Sequence, residues 1–144
     1  MKKMNPVVHF EMGYEDRERM KRFYETTFGW QMKQTGPEMG EYIVVTTAES
    51  DEKSGRPKMP GTINGGFYKK TENPLSHAPS VVIAVDDVTK SMQMVKDNGG
   101  KILGSMGSDG KHTDEPQDIP GVGLWISIMD SEGNRVSMLQ PKGM

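Results

Sequence analysis

The sequence predicts an α+β fold: two βαβββ modules in one chain, forming a curved mixed sheet, a half-barrel with its helices outside. Three observations predict it. The order of strand, helix and further strands occurs twice. A shift of 71 residues lays Asp16 on Asp87, Gly29 on Gly100 and the strand around His9 on the strand around Ser80. A stretch with two prolines, Thr71 to Pro79, separates the halves. The modules are 5–70 and 80–140 within one domain, 1–144. A sheet with one helix covers only one of its faces. Two such modules side by side curl so that the bare faces line a concave pocket.

The run Met4 to Met12 reads as a strand that begins at Pro6, where a proline is tolerated. From Asp16 to Phe28, Met20, Phe23, Tyr24 and Phe28 recur at helical spacing. Asp16 is the N-cap, because its carboxylate accepts from free amides of the first turn. Gly29 follows the helix and tolerates positive φ. Strands follow at Trp30 to Gln34, Glu41 to Thr47 and Gly61 to Lys70, with a polar loop at Ala48 to Pro60. The second half opens with a strand, Ser80 to Val85. A helix from Asp87 to Asn98 follows, with Val88, Met92 and Val95 on one stripe and Asp86 or Asp87 as cap. Gly99 and Gly100 end it. Lys101 to Leu103 is a strand, Gly104 to Pro120 a long polar loop, and Gly121 to Met129 and Arg135 to Gln140 form a hairpin around Asp130–Asn134.

Composition narrows the function. The chain has 144 residues, 33% of them hydrophobic and 26% charged, which fits one globular domain with a solvated surface. The absence of cysteine removes disulfides, thiolate metal sites and cysteine nucleophiles. A net charge of −2 gives no footprint for nucleic acid. No apolar run approaches the roughly 20 residues of a membrane span. The N-terminus does not read as a signal peptide, so the cytoplasm is the expected location. The thirteen methionines read as core filling. Gly61, Gly65 and Gly66 make no phosphate loop, since no GK[ST] and no helix follow. Glycines there let strands approach closely.

Several runs carry a resemblance to a known family. They are His9-Phe10-Glu11, then Asp16 to Arg22, Phe23-Tyr24, Phe28-Gly29-Trp30, Val85-Asp86-Asp87-Val88, Ile119 to Gly123 and Asp130 to Arg135. Their order resembles the vicinal-oxygen-chelate proteins, which include glyoxalase I, bleomycin-resistance proteins and extradiol dioxygenases. The resemblance covers nearly the whole chain and is closest to small glyoxalase-related members. It implies metal ligands at four positions, on the first and last strand of each module. Here those positions fall on His9, on Gly65 or Gly66, on Ser80 and on Ser137. His9 alone matches. A zinc-type centre needs about three protein ligands and an open position. Glu11 shares the face of His9, and Tyr42 or His112 would have to complete the set. No cofactor is therefore expected, with a divalent metal as the alternative.

The candidate ligand-binding residues are His9, Glu11, Tyr42, Ser80, Trp125 and Ser137. His9 is a hydrogen-bonded pocket or core histidine, or else a base or ligand contact. Glu11, on the concave face, must be paired, with His9 or Arg135, or serve as a general base. Trp125 is core or a stacking wall. Ser80 and Ser137 leave a cavity room, and no Ser-His-Asp arrangement supports either as a nucleophile. The expected function is small-molecule binding in the concave pocket without a catalytic metal, as in bleomycin resistance. The alternative is a metal-dependent glyoxalase-like lyase, isomerase or dioxygenase that uses His9 and Glu11. The resemblance also implies a homodimer.

Overall fold

The computed structural model describes residues 3–36, 41–107 and 111–142. The chain is α+β, with two α-helices and ten strands among these residues. It divides into two compact units, one of residues 8–80 and one of residues 81–144 together with 1–7.

In the first unit, β1 (Val7–Tyr14) leads into α1 (Arg17–Phe28). Asp16 caps the helix: its Oδ1 accepts from the Arg19 amide at 3.0 Å. Gly29 ends it at φ 72°, where a Cβ would be strained. β2 (Gln31–Gln34), β3 (Ile43–Thr46) and β4 (Asn64–Lys69) follow. The strand order is β2-β3-β4-β1, with β4 parallel to β1 and the other pairs antiparallel. Tyr14, Met20, Ile43, Val45 and Phe67 form the core between helix and sheet, with Phe10, Met12, Tyr24, Trp30 and Met32 packed against them. Alternation along the strands leaves His9, Glu11, Asn64, Gly66, Tyr68 and Val44 on the face away from α1.

The helical stripe splits. Met20 and Tyr24 pack inward, while Phe23 and Phe28 are 54% and 59% exposed. At 100° per residue, Phe23 and Phe28 lie about 60° and about 80° to either side of Met20, at the margins of the buried face. Both rings still lean on Tyr24, Phe23 edge-on at 4.9 Å and Phe28 at 6.0 Å.

The second unit repeats the arrangement. β5 (Ser80–Ala84) precedes α2 (Val88–Asp97), which is capped by Asp87, whose Oδ1 accepts from the Lys90 amide. Asp86 instead pairs with Lys3 at 2.8 Å. β6 (Lys101–Met106), β9 (Gly123–Met129) and β10 (Arg135–Pro141) complete the order β6-β9-β10-β5, with β10 parallel to β5. β4 and β10 thus stand in the same place in their units, and Asn64 and Arg135, which open them, are 71 residues apart. Val85, Val88, Ile126, Ile128 and Met138 form the core. The hairpin turn closes on Asp130, whose carboxylate accepts from the Glu132 and Asn134 amides.

Two segments expected to be irregular hold structure. The proline-containing stretch contains a 3-10 helix, Pro74–His77, capped by the Asn73 side chain. The loop after Leu103 contains the rest of β6 and two short strands, β7 (His112–Thr113) and β8 (Gln117–Ile119). Residues 108–110 of that expected loop lie outside the described residues. The methionines divide: Met12, Met20, Met32, Met92 and Met138 pack in the two cores, whereas Met4, Met59, Met94 and Met106 are exposed.

Candidate functional site

Three candidate residues meet on the helix-free face of the first unit. His9 and Glu11 stand two apart on β1, so their side chains share that face. Glu11 is buried, and the Tyr42 hydroxyl donates to its Oε2 at 3.1 Å. Tyr42 sits just before β3, where its carbonyl accepts from the amide and hydroxyl of Thr35. The register explains the meeting. Glu11 pairs with Gly66 on β4, and Gly66 pairs with Val44 on β3. A Cβ on Gly66 would overlap the hydroxyl and ring of Tyr42. The bare backbone of Gly66 therefore gives Tyr42 the room to cross β4 and reach Glu11. Gly65 has a different neighbour: a Cβ there would strike the carbonyl and ring of Phe10.

The electrostatics follow from this packing. Burial is the largest cause that pushes the Tyr42 phenol above its ordinary pKa. The Glu11 charge, the hydrogen bond to it and Tyr68 add to the effect. Tyr42 is thus held protonated, as a donor. His9 is open to solvent at its edge, yet the protein packed about it thins its hydration and lowers its pKa, which favours neutral imidazole. Asn64 ties the long loop to this face. Its Oδ1 accepts from the Thr47 amide at 2.8 Å, and its Nδ2 donates to Ser50 Oγ at 2.9 Å.

The other candidates lie elsewhere. Trp125 and Ser137 are on the second unit's helix-free face, on adjacent strands: Ser137 pairs with Ser127, and Leu139 pairs with Trp125. Ser137 is almost fully buried and Trp125 half-buried. Ser80 opens β5, and among the described residues its buried hydroxyl has no hydrogen-bond partner. His112 is on β7, where Nε2 lies 2.6 Å from the Leu103 carbonyl. The pairing of Tyr42 with Glu11 was not read from the sequence. The signal available was a glycine pair on a strand beside an aromatic residue.

Residues 7–48 match the family described as bleomycin resistance protein-like N-terminal. Solved structures match over the whole length. A hypothetical protein from Bacillus halodurans C-125 is 14% identical, with 99% of this chain and 98% of that one covered at a TM-score of 0.65. Streptomyces coelicolor methylmalonyl-CoA epimerase, in complex with 2-nitronate-propionyl-CoA, is 13% identical over 99% and 98%, also at 0.65. A glyoxalase/bleomycin resistance protein/dioxygenase superfamily member from Vibrio splendidus 12B01 is 16% identical over 95% and 99%, at 0.57. The chain has the vicinal-oxygen-chelate fold. No curated protein matches it significantly.

A metal centre of the kind found in vicinal-oxygen-chelate enzymes does not fit these residues. Among the described residues, no three His, Asp or Glu side chains are grouped so as to hold an ion. In the first unit, the expected last-strand ligand position, Gly65 or Gly66, has no side chain, and Phe10 or Tyr42 fills the space a side chain there would need. Tyr42 itself is committed as a donor to Glu11. No helix among the described residues is long and apolar enough to cross a membrane.

Proposed function

We propose that this chain binds a small molecule on the sheet face that carries His9, Glu11 and Tyr42, without a catalytic metal. The observation that carries the reading is the hydrogen bond between Tyr42 and Glu11 across Gly66. It leaves a carboxylate, a phenol and a neutral imidazole on one face, a set suited to orienting a polar ligand. It also puts a tyrosine ring where a metal-dependent relative would need a ligand. The acyl-CoA analogue held by the Streptomyces coelicolor epimerase supports a ligand role for the fold. Ser80 is a further proposed contact, and Glu11 is the group to act as base if the ligand is turned over.

The reading includes a homodimer in the cytoplasm. The exposed rings of Phe23 and Phe28 support association, since clustered exposed apolar surface marks interaction sites.

Elemental analysis and calorimetry with Zn²⁺, Ni²⁺, Mn²⁺ and Fe²⁺ test the metal-free part, with His9→Ala and Glu11→Ala alongside. The expected result is no stoichiometric ion. An ion bound one to one by the native chain and lost in both variants would sink the reading in favour of a metal-dependent lyase or dioxygenase. A thermal-shift screen then tests ligand binding. The expected hit stabilises the native chain but not Glu11→Gln or Tyr42→Phe.

A further inference from the structure

The first unit has a second concave feature, away from the His9 face. A cavity of about 430 Å³ lies where the end of β1 meets the first turns of α1 and residues 77–79. That volume is within the range of small-molecule sites, roughly 300–1,000 Å³. Met12, Met20 and Phe67 form its floor, and the exposed ring of Phe23 forms one lip.

The rim is polar, and its cations are under-supplied with partners. The stem of Lys70 lies across Gly13, where a Cβ would come within 2.5 Å of Lys70 Cγ and 2.6 Å of the Ser76 carbonyl. Lys70 lines the rim with its side chain only 27% exposed. Its one ion pair among the described residues is to Glu15 at a long 4.0 Å. Glu15 also serves Arg19, at 3.8 Å. The other acid, Asp16, is committed to the helix cap. Two cations therefore share one loosely held carboxylate. His77 adds a ring held by the Thr71 carbonyl 2.9 Å from Nε2.

We infer that this cavity binds an amphiphilic carboxylate, with its aromatic or alkyl body on Met12, Met20 and Phe67 and its anionic end between Lys70 and Arg19. An apolar floor supplies non-directional affinity, and a partly desolvated ammonium with a distant partner gains most from a close anion.

The test is titration of the full chain with 1-naphthoate by calorimetry, with amide shifts followed by NMR. The uncharged analogue 1-naphthalenemethanol is titrated in parallel. Saturable naphthoate binding is expected, with shifts at Gly13, Lys70 and His77 and affinity at least about tenfold above the alcohol. Lys70→Met should remove that preference while alcohol binding persists, which shows the cavity intact, and Lys70→Arg should restore it. Equal affinity for acid and alcohol, no saturation, or indifference to Lys70→Met would overturn the inference. So would naphthoate binding that is lost in Glu11→Gln and kept in Lys70→Met. That result would place the ligand on the His9 face and leave the proposed function standing.

Discussion

The Tyr42 hydroxyl and the buried Glu11 carboxylate are joined at 3.1 Å across the bare backbone of Gly66. They stand 31 residues apart in sequence and meet because β3, β4 and β1 are neighbours. Removing the hydroxyl leaves a buried carboxylate short of a donor. Tyr42→Phe should destabilise the fold by about 1–3 kcal/mol in urea unfolding. A loss near zero would mean that water replaces the phenol without penalty.

Gly66→Ala should be destabilising by about 1–3 kcal/mol, because the methyl group must displace a ring anchored to Glu11. Most of that cost should vanish in a Tyr42→Ala background, where the space is open. A double-mutant cycle reads the difference as a coupling between neighbours. Simple additivity of the two changes would refute the contact.

The His9 imidazole has a pKa lowered from 6.5, because the protein packed about it thins its hydration. The unfolded chain therefore takes up this proton at higher pH than the folded chain. Stability should fall as pH drops below about 6.5 and through the lower folded value, then level off, as far as His9 contributes. Comparing pH-dependent unfolding of the native chain with His9→Gln isolates the component. A His9 signal in NMR titration at or above 6.5 would contradict it.

Asp16 and Asp87 each accept from the amide three residues on, at 3.0 and 3.1 Å. Alanine at either position should cost about 0.5–2 kcal/mol, with asparagine restoring most of it. Asp86→Ala should cost far less, since its partner Lys3 is an exposed side chain and exposed pairs contribute little. Thermal unfolding of the three variants decides whether Asp87 is the true cap.

What was legible in the sequence was local. Asp16, Gly29 and Asp87 mark helix ends by chemistry confined to one turn, and the alternation of β1 put His9 and Glu11 on one face without any knowledge of partners. The 71-residue shift held from β1 to β2 and again at β4, but not at β3, because the long loops fall at different places in the two units. The 3-10 helix at Pro74–His77 was hidden because its prolines read as a linker, although Asn73 carries a capping side chain. β7 and β8 were hidden because polar residues there are held by backbone pairing, which leaves no hydrophobic pattern. The bond between Tyr42 and Glu11 depends on register between strands, and the cavity beside α1 on the approach of distant segments. Neither leaves a trace in spacing.

The filled space over Gly66 constrains the order in which this chain can change. A carboxylate introduced at position 66 meets Tyr42 before it meets anything else, so that single substitution damages the fold before it can offer a ligand. Shrinking Tyr42 first leaves Glu11 without its phenol, at a penalty of its own. Each route toward a side chain at position 66 thus begins with a step down in stability, and the first step from either side is disfavoured until the second has been taken. Tyr42 and the bare backbone of Gly66 are enough to make the first of two coupled substitutions costly, whichever of them comes first.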